Sequence, residues 1–369
     1  MPRLEIKLAD FSHEELLKEF NLNQGSGKNI NLGLLRNPSY FDSLKVEGNS
    51  TDIIIGFDPE IKKIVGVGHR SERHYFYNGN IINIGYLSGL YLLKEYRNSL
   101  SVFKGYELLR KLHEKSSSLF YYTSIFSDNL PAQKFLTSKK LKLPIYDFLC
   151  NYTTFIISSK VKIPKKRKFE IIEVGDENIK EVYDFYFKQT ELQNFYPYYS
   201  LEEFSEGIGL LNGVKYSDFI VLKENNKIIA MAILWDQSKF RNWKVYSYSK
   251  FYKLIHKPYN LISSILKKPT LPAESEYFKY RYLTNILAEN NNPEIFNELF
   301  SLSLDKLHKE SAEVNLLIGL SEINPFYPIL KKLPSYSLNS KIYMVYWEKD
   351  REIIEKLKID NPIIEVGSL

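Results

Sequence analysis

Gly85-Tyr86-Leu87-Ser88-Gly89-Leu90-Tyr91-Leu92-Leu93-Lys94-Glu95-Tyr96-Arg97-Asn98-Ser99 is the stretch that decides the fold. Its apolar first part predicts a long strand over 81–93. The spacing of Val102, Tyr106, Leu109 and Leu112 then predicts a helix over 101–115. A polar loop carrying Arg97 joins the two. Unpaired N–H groups at a helix start, aided by the helix dipole, form a cradle for an anion such as a pyrophosphate. An arginine at the loop adds charge-assisted contacts. Ser88 and Gly89 mark an irregularity inside the strand, since a strand glycine commonly signals a bulge or a close backbone approach.

Working outward, residues 3–8 alternate as a short strand, Ser12-His13-Glu14-Glu15 reads as a capping box, and 38–44 reads as a helix. Strands at 53–57 and 64–69 flank a turn at 58–63, and Asn78-Gly79 is a tight-turn signal. Beyond the deciding stretch come a strand at 119–126, a helix at 129–139 and a strand at 147–157. Residues 161–168 (VKIPKKRK) combine proline with a basic run and read as a linker. The order then begins again: strand 169–174, helices 179–188 and 201–207, and a hairpin of 219–223 with 228–235. An irregular aromatic and basic stretch covers 238–272. Strand 280–287, helix 294–309, strand 314–320, helix 324–332 and strand 342–347 complete the chain. The expected class is α/β in an α+β layered form. The expected division is an N-terminal domain over 1–160, the linker 161–168, and a C-terminal domain over 169–369.

Composition narrows the function. The 369 residues are 44% hydrophobic and 25% charged, as in a globular protein, and 15% are aromatic. A formal net charge of +6 favours anionic ligands such as phosphates but is too small to argue for a nucleic-acid partner. The single cysteine, Cys150, excludes an internal disulfide framework and fits a reducing compartment. No secretory signal pattern is present and no apolar run approaches the roughly 20 residues a bilayer span needs. A cytoplasmic protein without a membrane partner is therefore expected. No Cys/His spacing suggests a metal, and no nucleophile elbow, Walker loop or dinucleotide fingerprint occurs. Oligomeric state is not encoded in any motif.

Leu90, Leu92, Glu95, Tyr96 and Arg97 match, without a gap, the end of the central strand and the loop of the GNAT superfamily of acyl-CoA-dependent N-acyltransferases, with Lys94 at the usual proline. The resemblance implies two tandem GNAT-like domains, each a mixed central sheet flanked by helices. It implies acetyl-CoA or another acyl-CoA as cosubstrate, its pantetheine arm lying along the splayed strand. The implied cofactor-binding residues are Leu90, Tyr91, Leu92, Arg97, Asn98, Ser99, Leu100, Ser101, Val102, Lys104 and Gly105. In the gap-free register the family's two glycines fall on Leu100 and Val102. A shift of three residues instead uses Gly105 and places Leu100 at the arginine. Asn129 and Ala132 match a second family element, in which the asparagine lies near the pantetheine; Asn129 equally suits a helix N-cap. The family's tyrosine general acid falls on Leu136; Tyr121 or Tyr122 (the latter carried as the candidate) lies nearby, and nothing in the sequence selects between them. For a general base, His69, Glu72 and His74 lie on the hairpin beside the central strand.

The second half resembles the family less. Its loop, Ala288-Glu289-Asn290-Asn291-Asn292-Pro293, has neither glycine nor a basic residue, and Glu289 would repel a pyrophosphate; Asn324-Pro325-Phe326-Tyr327 echoes the second element only weakly. The expected cofactor half is therefore the N-terminal one. The expected activity is acyl transfer to a small-molecule or peptide amine. Two alternatives stand beside it. One is a catalytically inactive tandem GNAT-like protein that binds a ligand or partner. The other is a transferase drawing on aminoacyl-tRNA or a long acyl chain.

Overall fold

The structure is a computed structural model that describes residues 4–25, 27, 29–97, 99–138, 143–164 and 169–369, with 99–101 described as backbone alone. The strands are β1 (Glu5–Leu8), β2 (Ile30–Arg36), β3 (Ser50–Asp58), β4 (Lys63–Tyr77), β5 (Asn80–Leu92), β6 (Tyr121–Phe126), β7 (Ile145–Ser158) and β8 (Glu170–Ile172). They continue as β9 (Tyr196–Pro197), β10 (Phe219–Glu224), β11 (Lys227–Trp235), β12 (Arg241–Tyr248), β13 (Tyr280–Ala288), β14 (Asn315–Ser321) and β15 (Ser335–Tyr346). The helices that matter here are α1 (Glu14–Leu22), α2 (Ser99–His113), α3 (Leu130–Leu136), α4 (Ile179–Thr190), α5 (Leu201–Glu206), α6 (Lys250–Ile265) and α7 (Pro293–Glu310).

Thirteen strands form one mixed sheet in the order β1-β3-β4-β5-β6-β15-β7-β14-β13-β11-β10-β8, with β9 added against β4. Tight turns set two of its hairpins. Asn78 and Gly79 both have positive φ (49° and 73°) between β4 and β5, and Asn225 and Asn226 (51° and 61°) repeat this between β10 and β11. The halves exchange closing strands. β15, from the end of the chain, inserts between β6 and β7, and β7 in turn pairs antiparallel with β14. Helix α7 shows why the sequence folds this way: Ile295, Phe296, Leu299, Phe300, Leu304 and Leu307 recur at helical spacing, and all are buried in the core against the second half of the sheet.

Several expectations are corrected. Residues 38–44 hold only a short turn of 3-10 helix, Asp42–Leu44, after a cis Asn37–Pro38 bond. The first capping box is built two residues earlier, by Asp10 and His13. The helix expected over 324–332 shortens to Tyr327–Leu330. The stretch 238–272 is not irregular: it contains β12 and α6. β12 pairs with β2, which carries no strong period-2 signal, in a separate two-stranded sheet that ties residues 30–36 to the second half. Of the expected linker, 165–168 lie outside the described residues.

Candidate functional site

The sheet opens twice, in the same way. β5 and β6 run parallel and pair only at Gly85 with Tyr121 and Tyr86 with Tyr122 before they diverge. β13 and β14, also parallel, pair at three positions and then diverge. In each half a bulge follows on the long strand. Val67 faces Tyr91 and His69 faces Ser88, so two β4 steps match three on β5, and Gly89 sits there at φ +63°. In the second half Met231 faces Leu287 and Ile233 faces Thr284, and Asn285 takes φ +50°. Ser88-Gly89-Leu90 and Thr284-Asn285-Ile286 are therefore structural equivalents. A bulge leaves backbone groups outside the ladder, where a ligand can pair with them.

Each bulge is anchored by a buried carboxylate, and neither carboxylate was foreseen from the sequence. Ser88 donates a hydrogen bond of 2.5 Å from Oγ to Glu47 Oε2, and Thr284 donates to Glu365 Oε2. Glu47 is fully buried. Its Oε1 accepts from Arg36 Nη2 at 2.7 Å and from Arg241 Nη2 at 3.3 Å. Those two arginines stand directly opposite each other in the β2–β12 ladder. Burial alone would raise the Glu47 carboxyl, but the two guanidinium groups outweigh it and hold the carboxyl down at about 2. Arg241 also donates to the Gly367 carbonyl and to a terminal carboxylate oxygen of Leu369, which draws residues 367–369 into the centre. Around Glu365 the balance differs: burial raises its carboxyl, and the Thr284 hydroxyl and Asn285 amide only partly offset that.

His69 lies under the first bulge. Its Nδ1 is 3.1 Å from Ser88 Oγ, its Nε2 is 2.9 Å from the Tyr40 hydroxyl, and a Cβ on Gly89 would come within 2.5 Å of its ring. Burial first, then the positive field of Arg36, hold the imidazole down at about 3, so it is neutral. That has a stability consequence. A histidine depressed from 6.5 in the unfolded chain contributes its full stability above pH 6.5, and that contribution is lost as pH falls from 6.5 toward 3, by about 1.4 kcal/mol per pH unit. Glu47 acts lower: its contribution is complete above about 4.5 and is lost toward about 2. Urea unfolding followed against pH is thus expected to show a limb beginning near 6.5. In His69→Gln that limb should flatten between 6.5 and 4.5; an unchanged limb would mean that another group titrates there.

The two bulges differ in access. Gly89 and Leu90 are exposed, Leu90 by 62%, and the exposed Phe126 and Leu130 lie on β6 and α3 beside the same opening. In the second half Asn285 is 0% exposed, with both atoms of its side-chain amide unpartnered. Asn292 Oδ1 accepts from the Glu294 and Ile295 N–H groups, so the first turn of α7 is capped by its own chain, behind Pro293 and beside Glu294. One copy is open; the other is sealed.

The sequence-nominated residues distribute around this frame as follows. Leu90, Tyr91 and Leu92 run from the bulge to the end of β5. Arg97 folds back, donating from Nε to the Leu92 carbonyl at 2.7 Å, with its guanidinium 5.6 Å from the Tyr91 ring centre. Asn98 lies outside the described residues. The backbone of Ser99, Leu100, Ser101 and Val102 forms the first turn of α2, where helix amides have no partner within the helix. Lys104 is exposed in the next turn. Gly105 lies there too, with open space where a Cβ would stand and its N–H inside the helical ladder. Asn129 Oδ1 accepts from Ala132 N at 3.3 Å, as the N-cap of α3. Leu136 is buried in the core beside Tyr106 and Leu109.

The base and acid candidates separate onto two faces of β4. His69 shares a face with Arg73 and Tyr75, and there Tyr122 stacks on Tyr86 with ring centres 4.7 Å apart and accepts from the Tyr75 hydroxyl at 3.1 Å. Glu72 points the other way. It pairs with Arg70 at 2.8 Å and accepts from Ser118 Oγ at 2.7 Å. Burial tends to raise its carboxyl, but hydrogen bonds from Ser116 and Ser118 carry it below the usual value. Tyr121 is on that same face, its hydroxyl accepting from Arg70 Nε at 2.9 Å. His74 is exposed and faces Asn83, five residues from Ser88, or about 16 Å along the strand. It lines a separate cavity of about 380 Å³ with Ile82 and Leu119. Of the nominated bases only His69 reaches the bulge. Glu47, Arg36, Arg241 and Glu365 had no local signal, because each is brought in from a distant part of the chain.

No family model and no curated protein sequence matches the chain. Solved structures do. Saccharomyces cerevisiae N-myristoyltransferase with bound myristoyl-CoA aligns over 94% of this chain and 79% of its own, at a TM-score of 0.56 and 12% identity. The GCN5-related glucosamine N-acetyltransferase region of a fungal multi-domain GH3 β-N-acetylglucosaminidase aligns over 93% of this chain and 38% of that longer one, at 0.60 and 12%. This is a GNAT-like fold. A GCN5-related N-acetyltransferase from Anabaena variabilis adds a third match, over 93% of this chain and 72% of its own, at 0.50 and 10%. Because each alignment runs over more than nine-tenths of the chain, the GNAT-like fold takes in both halves and not the deciding stretch alone.

Proposed function

We propose that the chain is an acyl-CoA-dependent N-acyltransferase that takes its donor in the opening between β5 and β6 and transfers the acyl group to the amine of a small molecule or peptide. The observation that carries this reading is the asymmetry of two equivalent bulges. The one at Gly89 is open to solvent and leads toward the first turn of α2, while the one at Asn285 is buried. A pantetheine arm would pair with the backbone of β5 past the bulge. The pyrophosphate would sit on the first amides of α2, with Arg97 swinging out from the Leu92 carbonyl to meet it.

The chemistry asks little covalent work of the protein. The amine nitrogen forms a bond to the thioester carbonyl carbon, the C–S bond breaks, the thiolate leaves with the electron pair, and the proton lost by the amine passes to the thiolate or to water. Backbone N–H groups freed by the bulge are placed to polarise the carbonyl as negative charge develops on its oxygen. His69, neutral and held by Ser88 and Tyr40, serves as a positioning residue that fixes the bulge.

Support for an acyl-CoA donor comes from the similar yeast enzyme, whose structure holds myristoyl-CoA. The exposed apolar residues Leu90, Phe126 and Leu130 at the mouth of the opening suit an acyl or pantetheine chain. Titration calorimetry with CoA, acetyl-CoA and a long-chain acyl-CoA tests the reading. Binding of one molecule per chain, weakened about tenfold or more by Arg97→Glu, is expected, since that change both removes and reverses a charge beside the pyrophosphate. No heat with any donor would sink it. Donor binding without amine-dependent CoA release across a broad amine panel would favour the inactive, ligand-binding alternative.

A further inference from the structure

Helix α6 is built inside out. A helix on the surface of a globular protein turns its apolar face to the core. Here Phe251, Leu254, Leu261, Ile262 and Ile265 are 64%, 80%, 66%, 56% and 72% exposed. They fall three, ten, eleven and fourteen residues after the first, so they form one stripe along the helix, with Pro258 on the same side. The face turned to the protein is the polar and aromatic one. His256 Nε2 donates to the Pro272 carbonyl at 2.9 Å, Asn260 exchanges hydrogen bonds with both the N–H and the carbonyl of Leu271, and Ser263 Oγ lies 3.0 Å from the Tyr336 hydroxyl. Tyr259 stacks on Tyr336. The outward direction of the stripe is thus fixed by hydrogen bonds and not by a missing core.

Lysines border the stripe. Lys250, Lys253 and Lys257 recur along one flank, and Lys267 and Lys268 follow the last turn. Among the described residues only Lys253 in this group has a carboxylate partner, Glu274 at 3.0 Å. An apolar stripe edged by lysines on a 16-residue helix is the pattern of a helix that lies in the plane of a membrane interface, its apolar side chains among the acyl chains and its ammonium groups among acidic headgroups. No helix among the described residues is long and apolar enough to cross a membrane.

We propose that α6 docks the protein onto an anionic lipid surface, with Phe251, Leu254, Leu261, Ile262 and Ile265 inserted and the flanking lysines at headgroup level. This departs from the expectation, drawn from the sequence, of a protein without a membrane partner. It does not depend on the acyl-transfer reading, because α6 contributes nothing to the opening between β5 and β6.

Co-sedimentation with vesicles of phosphatidylcholine alone, or of equimolar phosphatidylcholine and phosphatidylglycerol, tests the proposal on the full chain. The wild type should pellet with the anionic vesicles and partition much less onto the neutral ones. The double variant Leu254→Glu/Ile265→Glu, exposed at both sites and therefore expected to keep the wild-type melting temperature, should lose about tenfold or more of that partitioning. Lys250→Gln/Lys257→Gln should lose about fivefold per lysine on the anionic vesicles only. The proposal is overturned if the wild type stays in the supernatant, or if the glutamate variant sediments like the wild type. It is equally overturned if the wild type is a dimer in solution that the glutamate variant splits, for then a second copy covers the stripe.

Discussion

Glu47→Gln is expected to lower the folding stability by about 3–5 kcal/mol, the scale on which removing one partner of a buried ion pair acts. Glu47 is fully buried, and among the described residues it is the one side-chain carboxylate within 4.0 Å of either Arg36 or Arg241. Those guanidiniums face each other across the β2–β12 ladder. Like charges placed opposite in a sheet repel unless something neutralises them. Glutamine keeps the shape and can keep some hydrogen bonds, but it leaves the two buried guanidiniums without the side-chain carboxylate they share. Because Arg36 comes from the first half and Arg241 from the second, the loss should loosen the join between them. Urea unfolding is the measurement. Adding Arg36→Met should restore part of the stability, since one buried charge then goes too. A loss below about 1 kcal/mol for Glu47→Gln would show that the arginines do not depend on it.

Gly89→Val should have the largest effect on donor binding. Gly89 sits at φ +63°, where an L side chain costs about 1–2 kcal/mol, and the valine Cβ would meet His69 Cε1 at 2.5 Å in a place where the ring is held from both ends. The strand must either give up the bulge or push His69 aside. Both outcomes remove the unpaired backbone that the donor is expected to use, so acyl-CoA affinity should fall at least tenfold. The matching change in the other half, Asn285→Gly, should leave that affinity unchanged, because the bulge there is sealed. Gly89→Ala provides a milder step should the valine variant be too unstable to handle. Equal loss of binding in Asn285→Gly and Gly89→Val would mean that the halves do not divide the work.

How much was legible in the sequence depends on how local each signal is. The long strand, the Asn78-Gly79 turn and the amphipathic α7 are short-range patterns, and all appear close to their expected places. The glycine at 89 announced the bulge for the same reason: one residue's backbone freedom was enough. The exchange of β7 and β15 could not be read, because period-2 patterning says which face of a strand is buried and not which neighbour it takes. Helix α6 was hidden by its reversed polarity, and by Pro258 inside it. At the site, His69 was found as a hairpin histidine beside the central strand, while Glu47 was not found. A lone glutamate between Val46 and Gly48 looks like surface, and only the return of Arg241 from about two hundred residues away makes it a buried anchor.

The account's central claim is that one of two equivalent openings, that between β5 and β6, holds the acyl donor. Soaking CoA into crystals of the full chain tests it most directly. The account predicts one CoA per chain, its pantetheine along the backbone of Leu90, Tyr91 and Leu92 and its pyrophosphate at the first turn of α2. Density instead between β13 and β14 near Asn285, or no CoA bound to a well-ordered crystal at saturating concentration, would contradict it.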